Sequence, residues 1–146
     1  MVLDIPGGLF GQSDVRETAT AITAETSSSQ SVSFSHANIG SDWEDVTGAS
    51  IIVSGLTAGQ KVLIMESHIG GPDSAGEIVY SRLVRNSTTL GNIRGVYVVN
   101  GTGWFGTSHQ WIDTPGAGNF EYKIQGKSSD GYGDFEVGDM TVVIFN

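Results

Sequence analysis

The sequence predicts an all-β protein, an antiparallel sandwich or barrel of about eight to ten short strands. Segments in which apolar and polar residues alternate recur at spacings of about 8–15 residues, as is typical of such folds. Glycine is abundant at 21 residues while proline occurs only 3 times, which indicates many turns between short strands. No segment between these strands has the sustained apolar spacing of a helix.

Length and charge limit the kind of protein. A chain of 146 residues with 38% hydrophobic residues suits one domain with its own core. Its 16 acidic and 7 basic residues give a net charge of −9, which would repel nucleic acid and anionic membranes, so we expect neither as a partner. The acidity is interpreted as a device for solubility. The absence of cysteine excludes disulfides, thiolate metal sites and cysteine nucleophiles.

Residues 1–29 differ from the rest of the chain. They are rich in glycine, serine, threonine and alanine, and their run TSSSQ at 26–30 is typical of a linker. Asp14 and Glu17 are placed to start a short helix. We expect residues 1–29 to form an extended N-terminal arm that orders against a neighbouring subunit, the alternative being a disordered terminus. The apolar residues that would make these contacts are Ile5, Leu9, Phe10, Val15 and Ile22.

Residues 30–146 form the predicted β domain. Its predicted strands are, in order, SVSFS (31–35), WEDV (43–46), ASIIVSG (49–55), KVLIMESH (61–68), EIVYSRLVRN (77–86), GVYVVN (95–100), GTGWFGTSHQWI (101–112), FEYKIQ (120–125), a short strand within SSDGYGDFEVGD (128–139), and MTVVIFN (140–146).

Three of these strands carry particular information. KVLIMESH is apolar on both faces, which predicts a central strand that is covered on both sides. MTVVIFN is also apolar on both faces, so the end of the chain is expected in the middle of a sheet beside earlier strands, as in a jelly roll. FEYKIQ alternates strictly, so Phe120, Tyr122 and Ile124 are expected to face the core while the residues between them face water.

Five segments together resemble a known module. They are WEDVTG (43–48), KVLIM (61–65), RLVRNSTTLG (82–91), DTPG followed by YKIQ (113–125), and the aliphatic closing strand. Their order and spacing over residues 40–146 are similar to a jelly-roll module of tailed-bacteriophage structural proteins. That module is related in shape to the trimeric heads of the complement and tumour-necrosis-factor families. The resemblance implies an antiparallel jelly-roll β-sandwich of about eight strands, three-fold assembly and a place on a virion.

The short segment before the module favours one kind of virion protein. Only about 40 residues precede it, which is too short for a fibre shaft with its own attachment domain. We therefore expect a trimeric capsid decoration (cement) protein that binds the major capsid protein through its arm. It would lie on the outer capsid surface and be made in the host cytoplasm. The alternative is a receptor- or glycan-binding head of a tail or head fibre, whose partner is a cell-surface glycan.

The sequence was also tested for catalytic and cofactor-binding patterns. GTGWFG at 101–106 matches a dinucleotide-binding glycine pattern, but TSHQWIDTPG follows it where the pattern requires a helix. His36, His68 and His109 lie in separate strands without the close spacing of metal ligands, and there is no G-x-S-x-G nucleophile motif. We therefore predict no catalytic residue, no cofactor, no metal and no enzymatic activity.

Two groups of carboxylates have an alternative functional interpretation. Asp130, Asp134 and Asp139 do not match an EF-hand, and turn formation explains them, although a calcium site between subunits stays open. Asp42, Glu44 and Asp45 are interpreted as an acidic strand edge that discourages edge-to-edge pairing rather than as glycosidase carboxylates.

The aromatic residues leave three alternatives open: core packing, a subunit interface, or stacking on sugar rings. The strongest interface candidates are Trp104 and Phe105, because the glycines around them give little shelter. Tyr97 and Trp111 complete the predicted interface set.

Overall fold

The structure, a computed structural model, describes residues 26–99, 103–131 and 133–146. These residues form eight strands. They are β1 (Thr26–Ile39), β2 (Glu44–Leu56), β3 (Lys61–Pro72), β4 (Ile78–Arg85), β5 (Thr88–Tyr97), β6 (Phe105–Asp113), β7 (Gly118–Ser128) and β8 (Gly133–Phe145). In the described ranges no helix is long and apolar enough to cross a membrane.

The strands form two four-stranded antiparallel sheets that face each other. Sheet A has the order β1-β8-β3-β6, and sheet B has the order β2-β7-β4-β5. The last strand lies between the first and the third, and the second pairs with the seventh, which is the winding of a jelly roll. The predicted fold class is confirmed, including the placement of the closing strand inside a sheet.

The alternation of the sequence creates the core between the sheets. Tyr122 and Ile124 in β7 are fully buried, while the residues between them are on the opposite face, as FEYKIQ predicts. Val79 and Leu83 in β4 are buried on the same side. Their neighbours in the core include Ile51 and Val53 of β2, Val62 and Ile64 of β3, and Met140, Val142 and Ile144 of β8.

In two places the sequence predicts two strands where the structure has one continuous strand. WEDV and ASIIVSG were separated at Gly48, but β2 runs through this glycine with a register shift between Asp45 and Ser50. The segments around Gly138 were also separated, but β8 is continuous there. The ring of Phe34 lies over Gly138 and fills the space that a side chain would occupy. Gly138 is therefore explained by close packing inside a strand and not by a turn.

The first strand begins at Thr26 and thus includes the serines of the linker-like run TSSSQ. Ser28 and Ser29 align with Ile144 and Val143 of the aliphatic strand β8. Strand propensity depends strongly on the neighbouring strand, so a polar segment is stable in β1 because its partner supplies the apolar side chains. Residues 1–25 lie outside the described residues, and with them the predicted contacts of Ile5, Leu9, Phe10, Val15 and Ile22.

Strand β3 is central in sheet A, as predicted, but it is not covered on both faces by the described residues. Its inward side chains Val62 and Ile64 are fully buried, whereas Leu63 and Met65 on the outward face are partly exposed and Ile69 is exposed. The apolar character of this outward face needs a separate explanation, which directs attention to the surface of sheet A.

Candidate functional site

The outer face of sheet B carries charged side chains that form ion pairs and hydrogen bonds with one another. Asp45 of β2 accepts hydrogen bonds from Lys123 and Gln125 of β7, each at 2.7 Å. Gln125 in turn accepts from Arg82 of β4 at 2.7 and 2.9 Å, and Lys123 lies 3.3 Å from Glu121. Partial burial alone would raise the pKa of Asp45, but the hydrogen bonds lower it below its ordinary value. These charged groups therefore need no binding partner to complete their hydrogen bonds and ion pairs.

An aromatic residue extends the same network. The guanidinium of Arg82 stacks over the ring of Trp43 with a distance of 4.2 Å to the ring centroid, and Tyr80 packs against Trp43 at 6.5 Å. Trp43 is therefore half-buried beneath a cation on its own chain. It belongs to the structure of sheet B rather than to the exposed aromatic set.

The outer face of sheet A is different in character. Its outward positions form four rows. Three rows cross β1, β8, β3 and β6: Ser29, Val143, Leu63 and Ile112; then Ser31, Thr141, Met65 and Gln110; then Ser33, Asp139, Ser67 and Ser108. The fourth row comprises Val137, Ile69 and Gly106 of β8, β3 and β6. Charged residues are few on this face of the described strands: Asp139 lies in the third row, and Lys61 lies on the same side of β3 as Leu63, beyond the first row. Ile69, Val137 and Ile112 are exposed, Ile112 at 58%. In a chain of net charge −9, a partly apolar sheet face with few charges is a candidate contact surface.

This face is also grooved. A shallow cavity of about 410 Å³ lies on β3, β6 and β8 between Ile69 and Val137 on one side and Ser67, Ser108 and Asp139 on the other. A second cavity of about 360 Å³ lies at the β6 edge and is lined by Leu63, Gln110, Trp111 and Ile112. The surface therefore offers depressions into which the side chains of a partner fit.

The predicted aromatic set lies along the side of the sandwich formed by β5 and β6. Tyr97, Trp104, Phe105 and Trp111 are all exposed, at 42% to 54%. Val98 lies beside Gly103, which places Tyr97 and Trp104 at the same end of this side. Phe105 aligns with Gly70 and Trp111 with Ile64 of β3, so these two are about 20 Å apart along the strand. The four residues therefore form two groups on one side, and their role in an interface stays a prediction.

A buried polar cluster was not anticipated from the sequence. Glu66 of β3, only 3% exposed, lies 2.6 Å from the Nδ1 of His68. Ser81 of β4 and the Nε2 of His109 are 2.9 Å apart, and the rings of His68 and His109 are stacked at 6.3 Å. His68 and His109, expected to be separate, are brought together because Glu66 and His109 are aligned across β3 and β6. The alternation within KVLIMESH could have predicted part of this cluster, because Glu66 and His68 lie on the same side of the strand as the buried Ile64.

Burial dominates the electrostatics of this cluster. Desolvation raises the pKa of Glu66 above its ordinary value, although His68 acts in the opposite direction. Desolvation also lowers the pKa of His109 to about 4, and electrostatic interactions with His68 and Arg94 act in the same direction. His109 is thus neutral at pH 7. Ser81 is buried, so this serine–histidine pair is enclosed and serves to join sheets A and B.

A second polar network closes one end of the sandwich. The carboxylate of Asp113 in β6 accepts hydrogen bonds from Arg85 of β4, the hydroxyl of Tyr122 in β7 and the backbone N–H of Thr114, all at 2.9 Å. Three strands from both sheets meet at this one carboxylate. With each oxygen supplied with donors, Asp113 is a structural residue.

The acidic residues considered for calcium do not converge. Asp130 accepts a hydrogen bond from Ser128, and Asp139 accepts one from Ser33 on the outer face of sheet A. Asp134 is buried near the start of β8. Within the described ranges, no group of three or more histidine or acidic side chains is placed to hold a metal ion.

Comparison with known proteins does not identify a family or a function for this chain. No protein-family profile matches the chain, and no curated protein sequence is significantly similar to it. Among solved structures, the chain is similar to dimeric latent PorU from Porphyromonas gingivalis, with a TM-score of 0.43 and 7% identity over 84% of this chain and 14% of that one. It is also similar to the VP2 subviral particle of infectious bursal disease virus, with a TM-score of 0.46 and 11% identity over 81% of this chain and 33% of that one.

A third similarity is to the CBM36-1 domain of a multidomain xylanase from the hindgut metagenome of Trinervitermes trinervoides. Its TM-score is 0.40, with 10% identity over 79% of this chain and 96% of that one. The chain spans a third or less of the PorU and VP2 chains. Proteins of unrelated function share similarities of this size, so the function has to be argued from the chain's own surfaces.

Proposed function

We propose that this chain is a non-enzymatic structural protein of a bacteriophage virion, a homotrimeric capsid decoration (cement) protein on the outer surface of the shell. The motifs that resemble the phage jelly-roll module suggest the setting. The observation that carries the proposal is the contrast between an outer face of sheet B that pairs its own charges and an outer face of sheet A that is grooved and has few charges. Sheet A would meet its copies, and sheet B would face water.

The size of the face suits this role. Four strands about 4.8 Å apart, each about 10–12 residues long at about 3.3 Å per residue, cover roughly 600–750 Å². A stable protein interface buries about 800 Å² on each partner, with an apolar centre and a polar rim. In this face Leu63, Met65 and Val143 supply the apolar centre, and the serines of β1 supply a polar rim.

The test is a pair of matched substitutions, Ile112→Glu on sheet A and Ile52→Glu on sheet B. Both isoleucines are highly exposed, at 58% and 63%, so neither change should unfold the subunit. Native mass spectrometry and multi-angle light scattering should show a trimer for the unchanged chain and for Ile52→Glu, and monomers for Ile112→Glu. A monomeric unchanged chain, or a trimer that persists in Ile112→Glu, would contradict the proposed face.

The N-terminal arm is the proposed contact with the major capsid protein. Because β1 begins at Thr26, the arm should be removed as residues 1–25, which leaves the first strand intact. The shortened chain is expected to fold and trimerise normally but to lose binding to purified capsids in a sedimentation assay. Undiminished occupancy on the capsid would show that the arm is not the clamp.

The second candidate is a receptor- or glycan-binding head of a phage fibre, and the exposure of Trp104 and Phe105 favours it. Exposed aromatic rings stack on the apolar faces of sugars. Binding to a glycan array that disappears in Trp104→Ala but persists in Ile52→Glu would support this candidate over the decoration role.

A further inference from the structure

A narrow slot opens between β5 and β6, the edge strands of the two sheets on the same side of the sandwich. Its cavity measures about 70 Å³. The polar and aromatic residues that line it are Asn92 and Arg94 of β5 and His109, Gln110 and Trp111 of β6. The slot adjoins the edge of the outer face of sheet A, because Gln110 and Trp111 line both, whereas Asn92, Arg94 and His109 line the slot and not that groove.

The slot is built from side chains that point inward. Arg94 is aligned with Ser81 of β4, which is buried between the sheets, so Arg94 lies on the inner side of β5. On β6, His109 and Trp111 are aligned with Glu66 and Ile64, which are buried inward residues of β3. An arginine, an imidazole and an indole therefore converge on the same gap.

Arg94 stands out among the arginines of the β domain. Arg82 is bound to Gln125, and Arg85 is bound to Asp113. No carboxylate among the described residues forms a salt bridge with Arg94, and Arg94 interacts electrostatically with His109, whose protonation it opposes. A guanidinium with free donors presents a fork that matches a carboxylate in a bidentate hydrogen bond.

Trp111 gives the slot an apolar wall. Its ring reaches across the gap to Gly91 of β5, where a side chain would come within 3.0 Å of it. Gly91 also has a φ of 66°, a conformation that favours glycine, so both backbone and packing keep this position open for the ring. Part of the indole stays exposed at the mouth of the slot, where a sugar ring can stack on it.

We propose that the slot binds an acidic sugar, with its carboxylate held by Arg94, its ring stacked on Trp111, and its hydroxyls bonded by Asn92 and Gln110. The volume fits this division, because about 70 Å³ admits a group the size of a few water molecules but not a whole sugar ring. The carboxylate enters and the ring stays at the mouth. A uronic acid or a sialic acid has the required chemistry.

Ligand binding should also be linked to the protonation of His109. A negative charge brought beside the ring favours the imidazolium, so the bound ligand should raise the pKa of His109 from about 4. This readout separates occupancy of the slot from binding elsewhere, because a ligand on the outer face of either sheet would leave His109 unchanged.

The experiment is a titration of the full chain with glucuronic acid, glucose and acetate, followed by NMR of the Trp111 indole N–H and the His109 ring protons. Glucuronic acid should shift both signals, and glucose and acetate should bind at least tenfold more weakly. Arg94→Gln should weaken glucuronic acid binding by roughly tenfold or more, as expected for a lost charge-assisted hydrogen bond. Lys61→Gln is the matched control, since it removes one exposed positive charge from β3.

Three results would overturn the proposal. Equal affinity for acetate and glucuronic acid would show that a carboxylate alone is recognised and no sugar. Equal losses in Arg94→Gln and Lys61→Gln would show a general charge effect. No response to any of the three compounds, together with aggregation of Arg94→Gln, would show that the arginine only guards an exposed strand edge.

Discussion

At the scale of single residues, the carboxylate of Asp113 shows how the sandwich ties its sheets together. Burial and the hydrogen bond to this carboxylate raise the pKa of Tyr122 above its ordinary value, so its hydroxyl stays a donor at every pH at which the protein folds. Tyr122→Phe should lower the free energy of unfolding by about 1–2 kcal/mol, because one buried hydrogen bond is lost. Urea unfolding measures this, with Tyr80→Phe on the partly exposed face of β4 as the control. Equal effects of the two changes would contradict the role given to the network.

His109 predicts a dependence of stability on pH. Its pKa is about 4 in the fold and near 6.5 in the unfolded chain, so between these values the unfolded chain takes up a proton that the fold excludes. Stability should therefore be fully present above pH 6.5 and fall by about 2–4 kcal/mol as the pH drops to 4. The raised pKa of Glu66 works in the opposite direction at the acid end and offsets part of the loss.

The check is urea unfolding of the unchanged chain and of His109→Gln at pH 7, 5.5 and 4.5. Glutamine keeps a polar partner for Ser81 but does not titrate. The two chains should differ in the slope of stability against pH, and parallel profiles would show that His109 contributes nothing. Carboxylates elsewhere in the chain affect both proteins alike, so the comparison isolates the imidazole.

At the residue scale, the sequence predicted which apolar residues of a strand face inward, but it did not predict which polar residues are buried together. The inward positions of Tyr122 and Ile124 follow from alternation alone. The histidine cluster does not, because it depends on which residue of β6 lies beside Glu66 of β3, and pairing register is a property of two distant segments. Burial of a charged residue such as Glu66 also contradicts the usual exposure of its type.

At the scale of the strand, glycines act through packing as well as through turns. Gly138→Ala in β8 should destabilise the fold by about 1–3 kcal/mol, since the added methyl group would overlap the ring of Phe34. Gly106→Ala in β6 is the matched control, because its added methyl group meets open space. Thermal unfolding compares the two, and Gly138→Ala should cost less in a Phe34→Leu background. Equal melting temperatures for the two alanine variants would rule out the overlap.

The same glycine explains where strand prediction failed. A glycine beside an aspartate usually indicates a turn, and the sequence around Gly138 therefore suggested two strands where the structure has one. Gly138 lies within a strand because it packs against Phe34 of β1, more than 100 residues earlier, and a local sequence pattern cannot indicate so distant a contact. The reverse happened at β1, whose serines looked like a linker and are held by β8.

At the scale of the whole molecule, the uneven distribution of charge would set the conditions for the proposed assembly. Each subunit carries a net charge of −9, so copies repel each other, whereas the proposed interface on the outer face of sheet A would attract them. Salt shortens the Debye length from about 30 Å at 0.01 M to about 8 Å at 0.15 M, which removes the repulsion and leaves apolar contact intact. Self-association should therefore become several-fold tighter over this range, as measured by analytical ultracentrifugation. Association that weakens with salt would point to an interface made of ion pairs.

The general architecture could be predicted from the sequence because strand length, spacing and turn residues are local properties. The contrast between the two sheet faces could not, because it requires the strand order: residues of β1, β3, β6 and β8 form one surface although other strands separate them in the chain. Tyr97, Trp104, Phe105 and Trp111 were recognised as interface candidates one by one, but their division into two groups on one side needed the structure. The N-terminal arm and its contacts stay a prediction, since residues 1–25 lie outside the described residues.

The placement of β8 between β1 and β3 has a consequence for biosynthesis. The hydroxyls of Ser31 and Thr141 form a hydrogen bond although 110 residues separate them in the chain. Strand β3 also pairs with β8, which follows it by about 60 residues or more. Sheet A therefore lacks one of its two inner strands until β8 (Gly133–Phe145) has been synthesised, and folding dominated by such distant pairings is slow. Until then β6 is the one described strand of sheet A that can pair with the apolar β3 segment, so the other edge of β3 stays open to association with other chains.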